Sequence, residues 1–164
     1  MTPPRGFAEI RAAYGDVKIE RDARGGWRII SPIGWESANC TLFTHEVLDG
    51  RKLYVNRAIV EPLSAALWLS YERCPRYRIK TIGCFAVRPK RVAGQPAGVV
   101  GWPSISVHTV AAAVDINAAT NPQGAELVTD MPPEWVAAWE DVGWTWGGRF
   151  PRPDAMHFQF GSGV

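Results

Sequence analysis

Ser-Val-His-Thr-Val-Ala-Ala-Ala-Val-Asp-Ile-Asn (106–117) and Asp-Ala-Met-His-Phe-Gln-Phe (154–160) decide how this chain of 164 residues is read. Ala113–Ile116 has the make-up of a short central strand. In the second stretch Met156, Phe158 and Phe160 alternate with His157 and Gln159. A strand there turns the three apolar side chains to the core and His157 to the opposite face. His108, Asp115 and His157 then offer two imidazoles and a carboxylate. That donor set leaves a tetrahedral Zn²⁺ one open position for water, as in catalytic rather than closed structural sites. Asp154, three residues before His157, is the candidate to handle that water's proton.

The spacing constrains the backbone. Seven residues of extended chain separate His108 and Asp115 by roughly 23 Å. Seven residues of helix leave them about 10 Å apart along the axis. Neither allows a shared ion, so the chain must fold back between them, and the small residues of Thr-Val-Ala-Ala-Ala (109–113) suit a tight turn. His108 is expected on a loop and Asp115 at the start of a buried strand.

Working outward, residues 5–14 read as a helix with Phe7, Ile10 and Tyr14 on one face and Gly15 as its stop. Two strands, 17–20 and 27–30, flank a turn at 22–26. Residues 32–56 give no clear pattern beyond loop with short strands. Residues 58–73 read as the main helix, with Ile59, Leu63, Leu67 and Tyr71 as its buried stripe. Residues 76–87 alternate loosely as a strand, and 91–103 read as a surface loop. Pro132-Pro133-Glu134 opens a second helix reaching Val142, with Trp135 and Trp139 one turn apart and Gly143 as its end. Strands at 144–146 and 156–160 flank the Gly147–Pro151 turn. The expected class is α+β: a small antiparallel sheet carrying the zinc site, with helices packed on one side.

Length and composition fit a single domain, 1–164. The segment 1–40, helix and hairpin, is expected to pack on a catalytic core at 58–164. Hydrophobic residues make up 46% and charged residues 21%, ordinary for a globular protein. A net charge of +2 gives no support for nucleic-acid binding, and the basic cluster Arg88, Lys90 and Arg91 reads as a solvated loop. Three cysteines, Cys40, Cys74 and Cys84, lack metal or disulfide spacing and read as buried free thiols. No apolar signal segment opens the chain and no run reaches membrane-spanning length, so synthesis in the cytoplasm without an export signal is expected.

These motifs resemble the M15 metallopeptidases, the D-alanyl-D-alanine carboxypeptidase and L-alanyl-D-glutamate endopeptidase group, and within it the single-domain phage endolysins. The family pattern Ser-x-His-x-x-Gly-x-Ala-x-Asp-Ile, a Trp-Gly-Gly turn and Asp/Glu-x-x-His-Phe is matched by Ser106, His108, Ala113, Asp115, Ile116, Trp146-Gly147-Gly148, Asp154, His157 and Phe158. Residues 82–88 resemble the family's arginine-bearing strand, and 7–15 the opening of such endolysins. Ala111 stands where the family has Gly, Val110 where it often has an aromatic, and Gln159 where it has Glu; the last two bear on substrate preference.

The resemblance implies a hedgehog/DD-peptidase-like fold and a zinc-dependent hydrolase of peptidoglycan stem peptides. In it Zn²⁺ sits on His108, Asp115 and His157, and Asp154 is the general acid and base. Arg88 binds the carbonyl oxygen or a substrate carboxylate, and Ser106 and Trp146 support the substrate. An L-Ala-D-Glu endopeptidase acting in phage lysis is the leading reading. A D-Ala-D-Ala carboxypeptidase and a non-catalytic zinc-dependent wall-binding or virion module are the alternatives. The expected partner is the stem peptide, with no nucleic acid and no stable membrane association, for a monomer reaching the cell wall after holin-mediated release.

Overall fold

The computed structural model describes residues 2–91 and 97–164. Along the chain run α1 (Gly6–Tyr14), β1 (Lys18–Arg21), β2 (Trp27–Ser31), α2 (Trp35–Asn39), β3 (Cys40–Thr44), β4 (Lys52–Asn56) and α3 (Val60–Arg73). Then follow β5 (Ile82–Gly83), β6 (Val100–Gly101), β7 (Ala113–Ile116), α4 (Pro133–Asp141), β8 (Thr145–Trp146) and β9 (His157–Gln159). The class is α+β. The described strands form three antiparallel groups, ordered β2-β1-β6, β3-β4 and β5-β7-β9-β8.

The four-stranded sheet positions the candidate site. In its central pair Asp115 lies opposite His157 and Val114 opposite Phe158. Because side chains alternate across a strand, one face carries Asp115, His157 and the site, and the other carries Val114 and Phe158. Onto that apolar face α4 lays Trp135 and Trp139, whose ring centroids lie 5.7 and 4.9 Å from that of Phe158. Trp144 meets Trp139 edge-on at 5.2 Å. Fully burying one such side chain contributes about 1.5–3 kcal/mol, and each well-oriented ring pair about 0.5–1.5 kcal/mol more. Four of the eight tryptophans, Trp135, Trp139, Trp144 and Trp146, thus build the floor beneath the sheet.

The amino-terminal segment closes over the end of β9. Tyr14 donates from its hydroxyl to Phe160 O at 2.6 Å, Trp35 Nε1 donates to Tyr14 O, and Arg5 bridges Ser162. Gly15, with φ 97°, stops α1 as read from the sequence.

Several expectations need correcting. Residues 32–56 hold α2 and the β3–β4 hairpin. Its residues Cys40, Phe43, Leu53 and Val55 are buried, and the connection at 45–51 is a turn of 3-10 helix closed by Asp49-Gly50, both at positive φ. Residues 76–87 contain only the two-residue β5. Their backbone is held by side chains and loops instead: Lys80 N and Thr81 N donate to Asn117 Oδ1, and Ala86 N donates to His108 O. The buried stripe of α3 is Pro62, Leu63, Ala66, Leu67 and Ser70, while Tyr71 is half-exposed. Within the expected loop 91–103, Val100–Gly101 pairs with β1, and residues 92–96 lie outside the described residues.

Candidate metal centre and its cleft

The turn that brings His108 back to Asp115 is a single turn of 3-10 helix, Val107–Val110, followed by Ala111 at φ 51°, ψ 35°. Ser106 caps it, its Oγ accepting from His108 N at 3.3 Å. A left-handed residue at this point reverses the chain, and an L side chain there costs about 1–2 kcal/mol. Asn56 holds the turn in place: its backbone N donates to Ala111 O and its Nδ2 to Val110 O.

The result is a triangle of donor atoms. His108 Nε2, His157 Nδ1 and Asp115 Oδ1 lie 3.1 Å from one another on all three edges. The remaining ring nitrogens decide the protonation pattern. His108 Nδ1 lies 2.6 Å from Cys84 O, and His157 Nε2 lies 3.0 Å from Gln159 Oε1. Gln159 is itself oriented, because its Nε2 donates to Gly161 O. Both carbonyl oxygens only accept, so each histidine carries its proton there and aims a lone pair into the triangle. Two neutral imidazole lone pairs and a carboxylate oxygen converge on one point, and a cation is what makes that arrangement favourable.

The size fits as well. A tetrahedron with bonds of about 2.0–2.1 Å has edges of about 3.3 Å, close to those seen here. His108 and His157 are buried and Asp115 is half-buried. Burial alone raises the Asp115 carboxyl, but in the metal-free protein a proton shared with His108 or His157 outweighs this and holds it well below the usual carboxylate range.

Asp154 sits beside the triangle in the same cleft, which encloses about 280 Å³. Its Oδ2 accepts from Gln123 Nε2 at 3.1 Å, while its Oδ1 is buried without a hydrogen-bond partner. Burial raises its carboxyl above the usual value. An orphaned, proton-seeking oxygen at this place is the expected state of a base waiting for a water or substrate proton.

The Trp-Gly-Gly turn explains how Asp154 reaches the site. Asp154 N donates to Gly147 O at 2.9 Å, and a Cβ on Gly147 would lie 2.5 Å from Asp154 O and 3.0 Å from His157 Cβ. Only glycine admits that approach. A Cβ on Gly148 would strike the Trp146 indole.

Among the residues expected to meet substrate, Arg88 lines the cleft half-buried, and Ser106 lines it while capping the ligand turn. Trp146 does not reach it. Its ring stacks on Phe158 beneath the sheet and its Nε1 donates to Ala155 O, so it supports the floor rather than the substrate. Met156, expected in the core, is half-buried and lines the cleft.

Residues 101–160 match the family model for D-alanyl-D-alanine carboxypeptidase. Over that segment, which carries all three candidate ligands and Asp154, the chain resembles the M15 peptidases. No curated protein and no solved structure gives a significant match. M15 enzymes are metallopeptidases, in keeping with the convergent lone pairs of His108, Asp115 and His157.

Two features of the site escaped the sequence reading. Gln159 is buried in the cleft lining and orients a candidate ligand, a role only the His-x-Gln spacing on one strand face hints at. The loop that carries Lys90 and Arg91, read as solvated, lines the cleft beside the expected Arg88. Thr109 is what turns it there: Arg88 N donates to Thr109 Oγ1, which in turn donates to Arg88 O. Burial and the neighbouring Arg91 lower the Arg88 guanidinium from its ordinary value, against the pull of Asp115 and Asp154.

Proposed function

We propose that the protein is a zinc-dependent peptidase that hydrolyses peptide bonds in peptidoglycan stem peptides. The match of residues 101–160 to a peptidase family supports hydrolysis, and the donor triangle beside the orphaned Asp154 oxygen carries the reading. Zinc is favoured over harder ions by two imidazoles against one carboxylate, and bound there it supplies Lewis acidity and a water acidified toward pH ~7. Asp154 accepts the proton of the attacking water and returns it to the leaving amine, for which its raised carboxyl is suited. Arg88 holds the oxygen on which negative charge develops or a neighbouring substrate carboxylate. Cys84 O and Gln159 Oε1 fix the two rings so that nothing reorganises during the reaction.

An L-Ala-D-Glu endopeptidase acting in phage lysis is one specificity, resting on the motif resemblance to endolysins. A carboxypeptidase on terminal D-Ala-D-Ala is the second reading, favoured by the three cations Arg88, Lys90 and Arg91 on the cleft wall, which suit a free carboxylate next to the scissile bond. No helix among the described residues is long and apolar enough to cross a membrane, and passage to the wall through a holin is part of the lysis reading.

Mass spectrometry of purified peptidoglycan digested by the wild type and by Asp154→Ala tests this. New amino-terminal D-Glu establishes the endopeptidase, and released D-Ala the carboxypeptidase. No fragments from zinc-loaded protein overturns the peptidase reading and leaves a wall-binding module.

A further inference from the structure

A sizeable cavity lies away from the metal centre. It encloses about 590 Å³ between α3, the connection from β3 to β4, and the stretch before β5. Its size falls within the ordinary range for small-molecule sites.

Two aromatic side chains of α3 form one wall. Trp68 is 41% exposed, unusual for an indole on a helix that otherwise buries its apolar face. It is braced on both sides, by His45 at 5.3 Å and Tyr71 at 6.2 Å between ring centroids. Arg78 lies over the Tyr71 ring at 5.9 Å. Around these rings stand charges of both signs, Arg51, Arg78 and Lys80 with Glu46 and Asp49, over a floor that includes the buried Ile79.

The wall carrying Arg78 and Lys80 is fixed. Asn117, two residues beyond the candidate ligand Asp115, donates from Nδ2 to Arg78 O and accepts at Oδ1 from Lys80 N. The cavity is therefore preformed and tied to the strand that bears the metal centre, which lowers the ordering cost of binding.

We propose that this cavity is a second binding site, for a glycan chain of acetylated amino sugars. A pyranose ring presents an apolar C–H face, which packs on the negative face of an aromatic ring, and a rim of hydroxyl and acetamido groups. Braced aromatic rings ringed by both donors and acceptors match that surface. An anionic polymer would call for cations alone, and an apolar segment for no charges at all. The choice of a wall glycan rests on the peptidoglycan reading above; the cavity would grip the sugar strand while the metal cleft takes the stem peptide.

The test follows tryptophan indole N–H signals by NMR during titration with the tetramer of N-acetylglucosamine, a probe that contains no peptide. The Trp68 signal, identified by its loss in Trp68→Ala, should shift. Both Trp68→Ala and Arg78→Ala should weaken binding at least tenfold with unchanged melting temperatures. Cleavage of a sugar-free stem peptide by Trp68→Ala should match the wild type, while its retention on purified sacculi falls. An unmoved Trp68 signal, or wild-type affinity in either variant, overturns the glycan site. Sugar binding through Trp68 in a protein that cleaves no stem peptide upholds the glycan site and overturns the peptidase reading, so the two failures are distinguishable.

Discussion

His157 Nε2 and Gln159 Oε1 meet at 3.0 Å across two residues of one strand face, and that contact turns His157 Nδ1 toward Asp115 Oδ1. The amide of Gln159 is in turn held by Gly161 O, so a side chain that never touches the triangle sets the tautomer of one of its corners.

Gln159→Leu removes the acceptor while keeping an apolar group of similar reach. The His157 proton is then free to move to Nδ1, and zinc affinity should fall about 10–100-fold, the usual effect of losing such a partner. Gln159→Glu retains an acceptor and should hold zinc at least as well as the wild type. Competition with a chromophoric chelator measures both. Equal weakening in the two variants would show that the position matters only for packing.

Asp154→Asn separates stability from chemistry. Burial raises the Asp154 carboxyl in the folded protein above its unfolded value, so the folded state binds the proton more tightly. Stability of the metal-free protein is therefore lowered as pH climbs through the window that opens near the ordinary carboxylate value, and the penalty persists above it. Asn carries no charge and escapes this. The variant should denature at higher urea concentration than the wild type at pH 7, with the gap closing below about pH 4. Hydrolysis should drop about 10²–10⁴-fold. A pH-independent gap in denaturation midpoint refutes the buried-charge account.

The candidate site was legible because its chemistry sits in residue types that strands place predictably. Alternation through 156–160 put His157 opposite Phe158, and the excluded helical and extended paths forced a reversal between His108 and Asp115. What escaped depended on partners distant in sequence. Lys90 and Arg91 join the expected Arg88 at the cleft because Thr109 grips Arg88 from 21 residues away, and residues 76–81 are shaped by Asn117 rather than by a ladder. The β3–β4 hairpin was hidden by a long connection, and Met156 broke its alternation at the strand's entrance, where the chain turns from the Asp154 loop.

Ala111 tests how much the reversal itself matters. Its φ of 51° lies where glycine is at ease and alanine is strained, yet its methyl is fully buried. Ala111→Gly relieves about 1 kcal/mol of backbone strain and forfeits about 0.8 kcal/mol of buried methyl. The variant should therefore unfold within about 1 kcal/mol of the wild type and keep its zinc affinity. Ala111→Val puts a branched side chain into the same left-handed turn, where Asn56 and Cys84 already contact Ala111 O. Val should cost more than about 2 kcal/mol and weaken zinc binding, because the turn is what sets His108 against Asp115. Urea denaturation with parallel metal titration reads both quantities. Tolerance of Val, or a large loss with Gly, would mean that the turn is held by its packing rather than by its backbone conformation.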